Sequence, residues 1–281
     1  MIDSQDPIYD IAIIGGGIAG AGIARDASLR GIRTVLFEAN TFGSGTSSKS
    51  SKLIHGGLRY LELSWNALCR GRLGEALKNF RFVFFSLQEC RRLEKIAPEL
   101  VRPIALIIPL YRSDIRSPFT VYLGTFLYSL LSILSGRGRL PKIFKSKRSI
   151  LKKLPDLKME GLVGGVMIWD HITDDLKLVE ATMNSAKKNG SACFENTKVI
   201  SFEYAFDKNI YKIRTEGSTS GFFYAHKLLN ATGPWVDKTR ELLHDKEYDE
   251  NMIEPIAGSH ITLKRFLPAS VILQADDNRL F

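Results

Sequence analysis

Apolar positions in this chain follow two rhythms in turn. Tyr9-Asp-Ile-Ala-Ile-Ile14 is a short apolar run that ends in Gly15-Gly-Gly-Ile-Ala-Gly20, a strand followed by a glycine turn. Ile18 to Leu29, small and apolar and closed by Arg30-Gly31, predicts a helix, and Arg33-Thr-Val-Leu-Phe-Glu38 predicts the next strand. Apolar residues at Leu73, Leu77, Phe80, Phe84 and Leu87 predict a packed helix from about Arg72 to Ile96, stopped by Ala97-Pro98. A proline-flanked strand follows, Arg102 to Tyr111. Ser117 to Gly136 carries no charge and has the length of a membrane span. Pro118, Gly124 and several hydroxyl residues dilute it, so a buried or membrane-facing amphipathic helix is the better expectation. Gly161 to Asp170 predicts a strand and turn. Thr173 then caps a helix with Leu176, Val179, Met183 and Ala186 on one face, and Gly190 stops it. Beyond it, the β-prone runs 198–204, 209–214, 222–225 and 227–231 alternate with turns.

Strand, helix and second strand around Gly15 form a βαβ unit. Gly15 makes the tight turn, Gly17 admits a pyrophosphate close to the backbone, and Gly20 lets the helix lie against the strand. The helix N-terminus aims N–H groups at the anion. Glu38 ends the second strand, where a carboxylate accepts from an adenosine ribose and disfavours a 2′-phosphate, so FAD or NAD is favoured over NADP. Asp170, Asp174 and Asp175 suggest paired carboxylates, but acids in a first helical turn also complement the helix dipole without any catalytic role.

Composition adds bounds. The 281 residues suggest about two domains at roughly 150 residues each, and 44% apolar content supplies a core and argues against global disorder. Cys69, Cys90 and Cys193 lie far apart without CxxC spacing, so neither a disulfide framework nor a zinc site is suggested and a reducing, cytoplasmic setting fits. The acidic N-terminus is the wrong charge for a secretory signal. The net charge is +9, and no acid interrupts the chain between Asp114 and Asp156 while Arg137, Arg139, Lys142, Lys145, Lys147, Arg148, Lys152 and Lys153 crowd its second half. This run is either a solvated basic loop or a peripheral contact with anionic membrane. Nucleic acid is not expected, because neither an aromatic platform nor a recognition-helix motif accompanies the charge.

The run Thr46-Ser-Ser-Lys-Ser-Ser-Lys-Leu-Ile-His-Gly-Gly-Leu-Arg-Tyr60 narrows the reading. Hydroxyls at Ser47, Ser48 and Ser51 offer donors to a pyrophosphate or flavin, Gly56-Gly57 lets the chain lie against a flat cofactor, and Arg59 offers a fork of N–H groups to an anion beside Tyr60. Together with Gly15 to Gly20, this run is very similar to the FAD-dependent glycerol-3-phosphate dehydrogenase family, within the flavoprotein group that includes D-amino-acid oxidase. The Asp-x-x-x-Asp-Asp pattern at Asp170, the Ala231-Thr-Gly-Pro-Trp235 turn and Gly258-Ser-His260 add to the likeness.

The resemblance implies an α/β fold, α+β taken as a whole, with a Rossmann-like FAD-binding βαβ domain and an inserted substrate or cap domain. The expected division is 1–62 and 156–235 for FAD binding, with 63–155 and 236–281 for the substrate domain. It implies FAD contacts from Gly15, Gly17, Gly20, Glu38, Thr46, Ser47, Ser48, Ser51, Lys52, Leu53, His55, Gly56, Val199, Ala231 and Gly233. Arg59 and Tyr60 would position substrate; His260 is a substrate or flavin contact or a satisfied core histidine. The implied reaction is oxidation of sn-glycerol 3-phosphate to dihydroxyacetone phosphate with electrons passing to a membrane quinone; the base for the C2 hydroxyl is not identified. The resemblance also implies a chain that is C-terminally incomplete, since Asn278 to Phe281 falls where a strand is expected. A split or truncated protein with partial FAD binding and no activity, completed by a second chain if at all, is the alternative. An amine or amino-acid oxidase is a further one, against which Lys52 to Tyr60 argues.

Overall fold

The computed structural model describes residues 7–136, 138–243, 251–261, 264 and 267–274. Arg137, Thr262 and the stretch 275–281 lie outside the described residues. In chain order the elements are β1 (Ile8–Ile14), α1 (Ile18–Leu29), β2 (Thr34–Phe37), β3 (Leu53–Ile54), α2 (Leu58–Cys69), α3 (Leu73–Ile96), β4 (Val101–Tyr111), α4 (Pro118–Leu134), β5 (Lys142–Phe144), α5 (Lys147–Leu151), β6 (Leu162–Thr173), α6 (Asp175–Lys188), β7 (Ala192–Phe194), β8 (Thr197–Ala205), β9 (Ile210–Gly217), β10 (Gly221–Asn230), α7 (Val236–Arg240) and β11 (Ser270–Val271). They fall into two compact units, Met1–Ser51 with Asp174–His260, and Lys52–Thr173 with Ile261–Phe281. The boundaries expected at 62/63, 155/156 and 235/236 are displaced. β3 pairs with β6, which draws the chain from Lys52 onward into the second unit, and β6 carries that unit's sheet to Thr173.

The first unit holds a six-stranded sheet in the order β7-β2-β1-β10-β9-β8. β7, β2, β1 and β10 run parallel, and β9 and β8 return antiparallel. Alternation sorts the strands' side chains to two faces: Ile13 and Leu36 join Ala21, Ala24, Val179 and Met183 of α1 and α6, while Ala12, Ile14, Val35 and Phe37 join Val199, Phe202 and Ile213. Each fully buried side chain of this size contributes roughly 1.5–3 kcal/mol. The apolar runs 222–225 and 227–231 are largely one strand, not two. β10 pairs with β9 over Gly221–Ala225 and with β1 over Tyr224–Asn230, so the polar break at His226 follows a change of partner and is not a turn. The cap of α6 is also one residue later than expected. Thr173 ends β6, and the Asp174 side chain accepts from the Lys177 amide at 3.2 Å.

In the second unit β4 and β6 pair antiparallel along almost their whole length, with β3 and β5 on β6 and β11 parallel to β4. Pro103 and Pro109 sit inside β4, where β11 covers only Leu106 and Ile107 among the described residues; the ladder tolerates a missing N–H where a strand has one partner. Leu106, Ile108 and Leu110 face Val121 of α4, while Ile107 and Phe144 pack with Ile150 of α5 and Leu154. Neighbouring glycines report the same division: a Cβ on Gly164 would lie 3.3 Å from the Tyr122 hydroxyl of α4, and one on Gly165 would lie 2.5 Å from Ile150. The uncharged helix and the basic helix that follows it therefore cover opposite faces of this sheet. Arg139 stacks over Trp169 at 5.7 Å. Among the described residues no helix is long and apolar enough to cross a membrane.

α3 has the expected length, and of the expected stripe Leu87 is buried with Phe84 packed against the same core, but the N-terminal part of the helix turns a different face inward. Ala76, Val83, Leu87 and Cys90 are buried, whereas Leu73 and Leu77 are each 62% exposed. Small residues allow close approach by neighbouring elements, a signal that a search for large apolar residues passes over.

Candidate functional site

In the first unit the turn from β1 to α1 opens a cleft of ≈ 790 Å³. Gly15 has φ +109°, and a Cβ there would stand 2.6 Å from the Ala231 carbonyl oxygen, so only glycine serves. A Cβ on Gly20 would fall on the Gly15 carbonyl oxygen; this glycine closes helix onto turn and does not line the cleft. Gly17 is the N-cap of α1, contributes no side-chain cap, and no acid occupies the first turn. Ser47 fills part of that role by accepting from the Ile18 amide at 3.0 Å, which leaves its hydroxyl proton free to donate elsewhere. Glu38 is fixed by two backbone amides, accepting from Gly16 at 2.6 Å and from Asn40 at 2.8 Å, one on each oxygen. Each oxygen retains a lone pair for a ribose hydroxyl.

Of the expected cofactor residues, Gly15, Gly17, Glu38, Thr46, Ser47, Val199, Ala231 and Gly233 line this cleft. Ser48 turns back to donate to the Gly45 carbonyl at 3.3 Å. Ser51 does not line this cleft, and its neighbour Ser50 donates from its amide and hydroxyl to Asp175 at 3.1 and 2.8 Å. The sequence reading missed Lys49, Lys198, Lys238 and Trp235, all of which line the cleft. Three ammonium groups with one acid favour a diphosphate, and Trp235 stands close enough to Gly45 that a Cβ there would meet its ring at 3.1 Å. The lysines come from separate elements, so no local motif announces them. Glycine-permitted backbone approach, a helix N-terminus whose N-cap residue has no side chain to cap it, a ribose-ready carboxylate and lysine charge together fit the adenosine diphosphate portion of a flavin dinucleotide.

Lys52, Leu53, His55, Gly56, Arg59 and Tyr60 belong to the second unit, whereas His260 belongs to the first and is exposed. Lys52 adopts φ 64°, an unusual conformation for a side-chain-bearing residue. His55 Nδ1 accepts from the Gly57 amide at 3.1 Å, and Gly57, φ +79°, opens α2. The Gly56 amide donates to the Tyr128 hydroxyl at 2.7 Å, and that hydroxyl donates to Asp170 Oδ2 at 2.8 Å. Burial drives the Asp170 carboxyl up to about 7 despite the opposing pull of Tyr128, Gly56 and Arg91. Asp170 thus lies on a strand, not in a first helical turn. Arg59 lines an apolar cavity of ≈ 450 Å³ between α2 and α4, with the Arg116–Glu62 pair (2.8 Å) at its side. Tyr60 does not line it and packs against Phe82 at 4.6 Å.

The match to the FAD dependent oxidoreductase family covers residues 10–279. The aerobic glycerol-3-phosphate dehydrogenase of Staphylococcus haemolyticus is 34% identical over 264 residues, 92% of this chain and 44% of that protein. The alpha-glycerophosphate oxidase of Streptococcus pyogenes is 32% identical over 278 residues, 97% of this chain and 43% of that protein. The chain thus spans less than half the length of these relatives. Among solved structures, the Bacillus halodurans glycerol-3-phosphate dehydrogenase complexed with FAD matches with a TM-score of 0.58 and 28% identity over 85% of this chain and 36% of that one. The L-proline dehydrogenase of P. horikoshii, at 16% identity and a TM-score of 0.60 over 98% of this chain and 69% of that one, shares the fold. Cleft and sequence agree: this chain belongs to the family of FAD-dependent oxidoreductases.

Proposed function

We propose that this chain binds FAD and serves the oxidation of sn-glycerol 3-phosphate to dihydroxyacetone phosphate, with electrons leaving to a quinone. The observation that carries the cofactor reading is the cleft at the N-terminus of α1, where Glu38 is anchored by two amides and lysines gather. The substrate reading rests on relatives named glycerol-3-phosphate dehydrogenase and alpha-glycerophosphate oxidase at 31–34% identity and on the Lys52 to Tyr60 motif. When bound, FAD supplies the hydride acceptor for the substrate C2.

In this reading the N–H groups at the start of α1 hold the diphosphate, Ser47 donates its hydroxyl proton to it, and Glu38 accepts from the ribose. Lys49, Lys198 and Lys238 balance the diphosphate charge. Lys52, Leu53, His55 and Gly56 contact the flavin, Arg59 holds the substrate phosphate through a bidentate fork beside Tyr60, and His260 contacts substrate or flavin. Orientation of the substrate supplies most of the acceleration. The quinone implies work beside a cytoplasmic membrane face, for which the exposed Phe119, Phe126 and Leu134 of α4 are the favoured contact; the basic segment lies across the sheet from that helix.

A second reading, FAD binding without turnover unless another chain contributes, is favoured by one fact: the matched relatives are more than twice as long as the matched segment. One experiment separates the two. The purified chain is loaded with FAD, desalted, and its visible spectrum followed anaerobically with sn-glycerol 3-phosphate. A flavin spectrum that bleaches supports the oxidation, a stable one supports binding alone, and a colourless folded protein sinks both.

A further inference from the structure

The second unit buries a group of side chains that the proposed reaction does not use. Cys90 of α3 and Asp170 and His171 of β6 are 2%, 5% and 3% exposed, and their sulfur, oxygen and nitrogen ligand atoms all lie within 4.8 Å of one another. The hydrogen bonding of His171 is lopsided. Its Nε2 stands 3.1 Å from Glu94 Oε2, which can only accept, and 3.4 Å from Arg91 Nη1, which can only donate; the shorter contact favours the ring proton on Nε2. That leaves Nδ1 as a bare lone pair, and Nδ1 is buried with no hydrogen-bond partner. A carboxylate fixing one imidazole nitrogen while the other keeps an unshared pair is the arrangement that orients histidine ligands toward metals.

Burial pushes the Cys90 thiol up to about 12 and the Asp170 carboxyl up to about 7, so an entering ion must displace the protons these groups hold. Arg91 is already engaged, donating to Glu94 at 2.9 Å and to Ser132 at 3.0 Å. Tyr128 occupies Asp170 Oδ2. One sulfur, one imidazole and one carboxylate are the donors of zinc and not of the oxygen-seeking magnesium or calcium. Zinc bonds of about 2.0–2.3 Å require these atoms to draw together to roughly 3.5 Å, a shift of about 1 Å.

We propose that Cys90, Asp170 and His171 supply the three protein ligands of a zinc(II) site in the core of the second unit, with a water completing the tetrahedron and Glu94 as the positioning residue behind His171. Binding releases the Cys90 proton and any on Asp170 as the ion enters, so charge balances with no oxidant or reductant. The site tethers α3 to β6 and is independent of flavin.

The test uses the full chain, stripped with chelator, desalted and titrated with zinc(II) alone and with cobalt(II) alone. About one ion per folded chain is expected, with thiolate-to-cobalt charge-transfer absorption and tetrahedral ligand-field bands. Cys90→Ser should abolish the charge-transfer band. Glu94→Gln, which touches no ligand atom of the ion, should weaken zinc about 10- to 100-fold while leaving the band shape intact. A wild-type chain that is folded by circular dichroism yet takes up less than a tenth of an equivalent overturns the site. So does a cobalt spectrum unchanged in Cys90→Ser, or, should that variant not fold, zinc affinity unchanged in Glu94→Gln.

Discussion

The two units handle buried polarity in different ways. In the first, the cleft is built chiefly from backbone: amides at Gly16 and Asn40 on Glu38, a glycine with φ +109°, and helix N–H groups left open. In the second, the polar interior is built from side chains brought together from three elements, α3, α4 and β6, with Tyr128 fully buried between the Gly56 amide and Asp170. A backbone site is set by where the chain can turn, and its tolerance to substitution is decided by space. A side-chain network is set by partners, and its tolerance is decided by how many groups a substitution leaves unmatched.

The sharpest way to break this contrast is Gly15→Val. It adds a β-branched side chain at positive φ against the Ala231 carbonyl, and FAD binding, followed by flavin fluorescence, should fall below detection with a lowered melting temperature for the first unit. Next comes Tyr128→Phe, which preserves volume and removes one oxygen. It strands the Gly56 amide and an Asp170 acceptor in a buried setting, costing roughly 1–3 kcal/mol by denaturant titration. An equal loss from Tyr122→Phe, a half-buried tyrosine of the same helix outside the Gly56–Tyr128–Asp170 chain, would show that the effect is general packing and not the network.

Smaller effects are expected from the cleft's lysines. Lys198→Ala combined with Lys238→Ala should weaken FAD several-fold and flatten the salt dependence of binding, because screening acts on the charges removed. The smallest and most local outcome concerns the cysteines. Cys69 is exposed and should react first with iodoacetamide, whereas burial pushes the Cys193 thiol up to about 11, against the mild pull of Lys187. The native state therefore holds this proton longer than the unfolded chain does. Its contribution to stability is intact below the unfolded value of about 8.5 and is lost as pH rises through about 11. Alkylation of Cys193 that is already rapid near neutral pH would contradict this burial.

How much of this was legible beforehand follows from the same contrast. Gly15, Gly17, Gly20 and Glu38 announced the cleft because their places come from spacing along one βαβ unit: Gly15, Gly17 and Glu38 line it, and Gly20 packs α1 onto the turn. Lys198 and Lys238 were invisible, since a lysine on a strand and one on a short helix carry no signal until the sheet is assembled. The division of the chain was displaced because the two-residue strand Leu53–Ile54 is too short to announce itself, yet its pairing with β6 moves the whole Lys52 to Tyr60 motif to the second unit. Asp170 was read as one of three acids at a helix start; periodicity cannot reveal that β6 extends through Thr173 and that Asp170 points at a buried tyrosine. Cys90 and His171, 81 positions apart counting from 90 to 171, were passed over because metal sites are recognised in sequence by close ligand spacing.

The sheet of β4 and β6 has one more consequence. With the oily helix α4 on one side and the lysine-bearing helix α5 on the other, this unit is a two-faced plate, and an oil–water boundary would exert a torque on it. Phe119, Phe126 and Leu134 would be drawn toward the oil, while Lys147, Arg148 and Lys152 would be held in the water. Such a plate has a preferred way up wherever it settles, so any adsorption would present the same side to solution each time.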